Sequence, residues 1–175
     1  MKKLNGLKEI MQEHCSRIYC NVDDIFDNVM FMAAKLNEQD ISKELEMQAR
    51  NLLGELIWSS TILINLSFDL GKKFDFYIVN LDREKVNLPE YEVKELIQIL
   101  GNIVNEQFKK IDDFVRFIDK KYKNKEVNGL MTTLFYESGG NIDRCKTDIE
   151  NSLKIIFYDY DKYEYEINNQ NTTSN

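Results

Sequence analysis

Apolar side chains recur every three or four residues through most of this chain, and few helix-breaking residues interrupt them. The chain has 175 residues, with one proline, Pro89, and seven glycines. Side chains at that spacing share one face of an α-helix, and such a face has to be buried against another element. We therefore expect an all-α protein, an antiparallel bundle of four to five helices of which several are unusually long.

The first half of the chain predicts two long helices, at residues 4–36 and 40–70. Asp40 suits the N-cap of the second helix, and Gly71 suits its C-terminal end. Apolar residues around the middle of the second helix spread beyond one face, which is typical of a helix buried on most sides. We therefore expect this helix to occupy the middle of the bundle, with Trp58 as a core residue.

The second half of the chain predicts three more helices. One opens at Asn87-Leu88-Pro89 and ends near Lys123, because proline suits the first turn of a helix and lysines suit the last. A shorter helix covers residues 126–137 and ends at the breaker Ser138-Gly139-Gly140. The last helix follows the apolar spacing through residues 142–167.

Two segments are less regular. Residues 71–88 include FDFYIVNL at 74–81, whose aromatic and β-branched side chains suit a strand as well as a helix. Because no partner strand is evident, we expect a helix there. Residues 169–175 are polar, so we expect a single bundle domain over residues 1–168 followed by a disordered C-terminal tail.

The composition narrows the choice of partners and of compartment. Thirty acidic and 23 basic residues give a net charge of -7, which disfavours nucleic acid and anionic lipid and favours a basic protein partner. The weakly charged run at 56–68 is too short to span a membrane. Lys8 and Glu9 interrupt any signal-peptide core, and three cysteines are an odd number for disulfides. We therefore expect a cytoplasmic protein with reduced thiols.

The sequence offers few candidates for catalytic chemistry. His14 is the only histidine and it precedes Cys15, but adjacent helical residues point about 100° apart, which is poor geometry for a nucleophile pair. We expect the acidic group Asp23, Asp24 and Asp27 to be solvated rather than bound to a metal. Phosphate-binding glycine motifs are lacking. We therefore expect neither an enzyme nor a cofactor or metal.

The segment FYDYDKYEYE, residues 157–166, is the clearest indication of a binding surface. The apolar spacing continues through it, so we expect Tyr160 and Tyr163 in the buried seam of a helix. Tyr158 and Tyr165 then share another face of that helix. Tyrosine is enriched in interface hot spots, and neighbouring carboxylates select basic partners. The predicted protein-binding residues are Tyr158, Asp159, Asp161, Glu164, Tyr165 and Glu166.

These features predict a non-enzymatic cytoplasmic module that binds a protein partner. An inhibitor or an immunity-type protein that masks a basic surface of its partner fits this description. The alternative is a ligand-binding or catalytic helical bundle with a pocket near Trp58 and His14. Long apolar seams also make a homo-oligomer possible, because a second copy can complete an open core.

Overall fold

The structure is a computed structural model that describes residues 2–38, 40–76, 84–121, 134 and 138–173. Within those residues the chain forms helices and no strand, which confirms the all-α prediction. Apart from Leu134, the predicted short helix at 126–137 lies outside the described residues, as does most of the ambiguous segment 74–81. The four helices of the described chain are α1 (Lys2–Leu36), α2 (Lys43–Lys73), α3 (Val93–Lys121) and α4 (Ser138–Thr173).

Each helix packs against two others, in the order α1, α2, α3, α4 and back to α1. Neither α1 and α3 nor α2 and α4 come into contact within the described chain, so these pairs lie diagonally opposite one another. Lys3 near the start of α1 pairs with Glu166 near the end of α4, and Glu44 near the start of α2 pairs with Lys121 at the end of α3.

The core follows the apolar spacing of the sequence. Every third or fourth residue of α1 from Met11 to Leu36 is buried, as predicted, and α4 contributes a matching row that ends at Ile156. Polar groups also enter this core, and Gln107 of α3 donates hydrogen bonds to the Leu56 carbonyl at 3.1 Å and to Ser60 Oγ at 3.0 Å. The Oε1 atom of Gln107 has no hydrogen-bond partner among the described residues.

The prediction that α2 occupies the middle of the bundle is wrong. This helix lies at one corner of the four-helix arrangement. Among the helices of the described chain, it contacts only α1 and α3. Trp58 is 53% exposed rather than a core residue, and Ile57 and Ile62 are half-buried. The small neighbour Ser60 is buried instead, because one side of a bundle helix faces solvent even when most of the helix is apolar.

Two predicted ends of α2 also need correction. The N-cap is Ser42 rather than Asp40, since Ser42 Oγ accepts a hydrogen bond from the Leu45 backbone N–H at 3.3 Å. The helix passes through Gly71 and ends at Lys73, where a turn with Phe74 as the C-cap follows.

The predicted ends of α3 and α4 shift as well. Helix α3 begins at Val93, four residues after Pro89, because Glu95 Oε2 accepts a hydrogen bond from the Glu92 N–H and caps the first turn there. Helix α4 begins at Ser138, so the predicted breaker is its first turn. It also continues to Thr173, whereas the sequence predicts a disordered tail from residue 169.

Candidate functional site

The outward side of α4 carries two exposed tyrosines. Tyr158 is 74% exposed and Tyr165 is 67% exposed. Seven residues make almost two full helical turns, so both rings leave the helix on nearly the same side. Asp161 lies between them in the chain, and its Oδ1 accepts a hydrogen bond from Lys94 Nζ of α3 at 2.7 Å. Two aromatic rings with a carboxylate between them therefore face solvent on an ordered helix.

The other two tyrosines of the segment face inward. The Tyr160 and Tyr163 rings pack edge-on against the buried Phe74 ring, with centroid distances of 6.3 Å and 5.6 Å. Both are half-buried and belong to the core cluster, so they lie in the seam where the sequence places them. These contacts hold the C-terminal half of α4 against the turn that follows α2, which sets the side of the helix that faces outward.

The four predicted acidic residues do not share one surface. Asp161 and Glu164 are exposed. Asp159 and Glu166 are half-buried, and each is held by a lysine: Asp159 by Lys162 at 2.7 Å and Glu166 by Lys3 of α1 at 2.8 Å. The hydrogen bond to Glu166 raises the pKa of the Lys3 ammonium above its usual value. We name Tyr158, Asp161, Glu164 and Tyr165 the α4 face, and Asp159 and Glu166 lie beside it.

The start of α3 adds acidic groups that the sequence did not assign to this site. Burial raises the pKa of the Tyr160 hydroxyl, and the nearby carboxylates of Glu164 and Glu92 raise it further. Glu92 and Glu95 are both exposed at the first turn of α3. In the sequence both are acids that suit the start of a helix, and the packing of α3 on α4 brings Glu92 near Tyr160.

Shallow grooves flank the α4 face. Between α1 and α4 lies a groove of about 580 Å³, bordered by Tyr165 and floored by Leu7 and Ile10. Between α3 and α4 lies a groove of about 410 Å³, bordered by Tyr158 and Phe157. Each exposed tyrosine therefore stands at the edge of a recess, and a partner side chain can bury apolar area beside it.

His14 lies inside the bundle rather than in a site that a substrate can reach. Its Nδ1 atom lies 3.2 Å from Ser152 Oγ of α4, and both residues are buried. Burial lowers the pKa of the imidazole, and the Arg17 cation lowers it further, whereas Glu13 and Asp159 act in the opposite direction. The arrangement therefore connects α1 to α4 through a neutral histidine.

The described cysteines and acidic residues were candidates for thiol chemistry and for metal binding. Burial raises the pKa of the Cys15 thiol to about 12, so this side chain remains protonated at neutral pH. Among the described residues, no group of three or more histidine, cysteine or acidic side chains is placed to hold a metal ion. His14 contacts α4, whereas Trp58 faces outward from α2, so the two residues of the predicted pocket face different surroundings.

Acidification is expected to destabilise the protein through His14. Because the pKa of His14 is lowered in the folded state, the unfolded chain takes up the proton first as the pH falls below the ordinary value of 6.5. The free energy of unfolding should then fall progressively between about pH 6.5 and the lowered folded-state pKa.

The His14→Gln variant tests this expectation, because its amide can still bond Ser152 but does not titrate. Urea unfolding of both proteins at about pH 7.5 and about pH 5.5 gives the comparison, above the range where most carboxylates titrate. The wild type should lose more stability than the variant on acidification. An equal loss in the two proteins would show that His14 does not carry the effect.

Comparison of the chain with protein families, with curated proteins and with solved structures finds no match. In the described part of the chain, no helix combines the length and the apolar character that crossing a membrane requires.

Proposed function

We propose that this protein is a non-enzymatic, cytoplasmic interaction module, an antiparallel helical bundle whose α4 face binds a protein partner with a basic surface. The observation that supports this most directly is the exposure of Tyr158 and Tyr165 on one side of an ordered helix, with Asp161 between them. An inhibitor or immunity-type protein is the version that we favour.

The tyrosines are suited to binding because they are held in place before a partner arrives. A tyrosine ring brings a large contact area with two rotatable bonds and a hydrogen-bonding tip, so little conformational entropy is lost on binding. The packing of Tyr160 and Tyr163 on Phe74 fixes the helix that displays the exposed rings. The recesses on either side allow a partner to surround each ring and exclude water from it.

The charge of this region favours a basic partner. The carboxylates of Asp161 and Glu164 are exposed on the α4 face, Glu92 lies near Tyr160, and the whole chain has a net charge of -7. Such a field accelerates the approach of a positively charged surface and disfavours acidic partners. Carboxylates on a rigid helix can also occupy the phosphate positions of a nucleic-acid-binding groove, which is why we favour an inhibitor.

The double variant Tyr158→Ala/Tyr165→Ala tests the proposal. A photo-reactive benzoylphenylalanine in place of Tyr158 first captures the partner in cells, and mass spectrometry identifies it. Binding of the purified partner is then measured with the wild type and the double variant. Loss of two hot-spot residues should weaken binding about 100-fold or more and leave the free energy of unfolding unchanged within about 0.5 kcal/mol.

The matched control is Phe31→Ala, which removes an exposed aromatic ring from α1 instead of α4. It should leave the affinity unchanged. Full affinity in the double variant, or a partner whose contact surface is acidic and whose binding is insensitive to salt, would rule out the proposal.

A further inference from the structure

The outward side of α2 carries a stripe without charge. Six positions spaced alternately by four and three residues share this side of the helix, and none of them is acidic or basic. The comparable outward positions of α3 include Lys109, Asp113 and Arg116, which is the usual composition of a solvent face. The residues of this α2 stripe are Met47, Asn51, Gly54, Trp58, Thr61 and Asn65.

The chain itself covers the C-terminal half of the α2 stripe. Asn65 Nδ2 donates to the Glu84 carbonyl at 3.1 Å, and Asn65 Oδ1 accepts from the Val86 N–H at 3.2 Å, so the connection before α3 is tied to α2 here. Thr61 is only 8% exposed although it lies on the outward side. In this half of the α2 stripe, the uncharged outward residues are therefore covered by the chain itself.

The N-terminal half of the α2 stripe has no such cover in the described chain. Met47 is 59% exposed and Trp58 is 53% exposed. Gly54 lies one helical turn before Trp58, and a Cβ at this glycine would meet no atom within 4 Å. A small groove of about 170 Å³ lies beside Gly54, between α1 and α2. The open half thus presents a large ring next to a recess.

Two pairs of opposite charges border the open half. Arg50 bonds Glu46 at 2.7 Å on the side of α1, and Lys110 of α3 bonds Glu55 at 2.8 Å on the other side. A neutral surface gives a basic partner no electrostatic advantage. Two copies of the chain, each with a net charge of -7, can approach each other here without bringing unpaired carboxylates together.

We propose that the open half of the α2 stripe is the contact between two copies of this chain, related by a two-fold axis. A surface that holds a protruding ring and a recess one turn apart is complementary to itself, because the axis places each Trp58 beside the Gly54 recess of the other copy. Burial of the indole and of Met47 supplies the apolar area that drives association. Because α2 and α4 lie on opposite corners, the α4 face stays accessible in this dimer.

Sedimentation velocity from about 1 to about 100 μM tests the proposal on the intact chain. The mass should rise from 20.7 kDa toward twice that value as the concentration increases. Trp58 is the only tryptophan, so its fluorescence emission should move to shorter wavelength over the same range. Trp58→Ala should shift the dissociation constant about 10-fold or more toward the monomer.

The sharper variant is Gly54→Glu, because the recess has room for the new side chain and glutamate favours a helix more than glycine does. It should stay folded, with an unchanged circular dichroism spectrum and thermal midpoint or a raised midpoint, yet remain monomeric. Asn102→Glu adds the same charge to an exposed position of α3 and should dimerise like the wild type.

Three results would overturn the proposal. The first is a monomer throughout the concentration range with unchanged tryptophan emission, and the second is a dimer that Gly54→Glu and Trp58→Ala leave intact. The third is a dimer that Asn102→Glu weakens as much as Gly54→Glu does, since net charge rather than the α2 stripe would then control association. None of these results depends on the partner of the α4 face, so the two proposals can fail separately.

Discussion

Replacing Phe74 with alanine is expected to lower the free energy of unfolding by about 4 kcal/mol. The Phe74 side chain is fully buried, and its ring packs against Tyr160 and Tyr163 of α4. Its backbone carbonyl also accepts a hydrogen bond from Gln12 Nε2 of α1 at 2.9 Å. The turn after α2 thus connects three helices, and truncation of its ring leaves a cavity between them. The thermal midpoint should fall by roughly 10 °C.

The control for this prediction is Phe31→Ala, the same change at an exposed position of α1. It should alter the free energy of unfolding by less than about 0.5 kcal/mol. Urea denaturation of the three proteins, with equal m-values, makes the comparison. A cost below about 1 kcal/mol at Phe74 would mean that this ring does not anchor α4.

Replacing Gly71 with valine is expected to lower the free energy of unfolding by about 2 kcal/mol. A Cβ at Gly71 would lie 3.2 Å from the Phe76 carbonyl oxygen. This oxygen cannot move freely, because the Phe76 N–H donates to the Gly71 carbonyl at 2.9 Å and closes the turn. The same turn contains Asp75 at a φ of 53°, a conformation that few residues other than glycine adopt. The side chain of valine therefore has to displace backbone.

Gly6→Val serves as the control, since a Cβ at Gly6 meets no atom within 4 Å. Its effect should stay within about 0.5 kcal/mol, because valine is a slightly better helix residue than glycine. Chemical denaturation measures both variants. Equal effects at the two glycines would show that close approach at the turn does not explain the choice of Gly71.

The fold class was predictable because the side chains that a helix buries recur every three or four residues in the sequence. The buried row of α1 can be read from spacing alone, and so can the inward direction of Tyr160 and Tyr163. The exposed positions of Tyr158 and Tyr165 then follow from helical geometry. A periodic pattern gives the direction of each side chain relative to its own helix, and for α4 that was enough to find the outward tyrosines.

The remaining errors concern helix ends and side-chain exposure, which depend on how each helix meets the rest of the chain. The N-cap at Ser42 and the start of α3 at Val93 depend on where the connecting chain leaves the bundle, so Asp40 and Pro89 were equally suitable by propensity. The exposure of Trp58 depends on which side of α2 its neighbours leave uncovered. Glu92 at the start of α3 comes near Tyr160 only through packing between helices, which spacing along one helix cannot reveal.

The two proposed surfaces have a joint consequence for affinity. In a two-fold dimer through α2, each copy would expose its α4 face on the corner of its bundle that lies diagonally opposite α2. A partner with two basic sites could then engage both copies, and the second contact would form at a raised effective concentration. Gly54→Glu should therefore weaken binding to a bivalent partner and spare binding to a monovalent one.

The buried amide of Gln107 sets the axial alignment of α2 and α3. Sliding one of these helices by a single turn would take the amide away from Leu56 and Ser60 and leave its N–H groups without acceptors among apolar side chains. An apolar core alone tolerates such a slip more readily, because one aliphatic contact resembles the next. The bundle thus gives up some stability at the Oε1 atom, which has no partner among the described residues, and in return is restricted to one register.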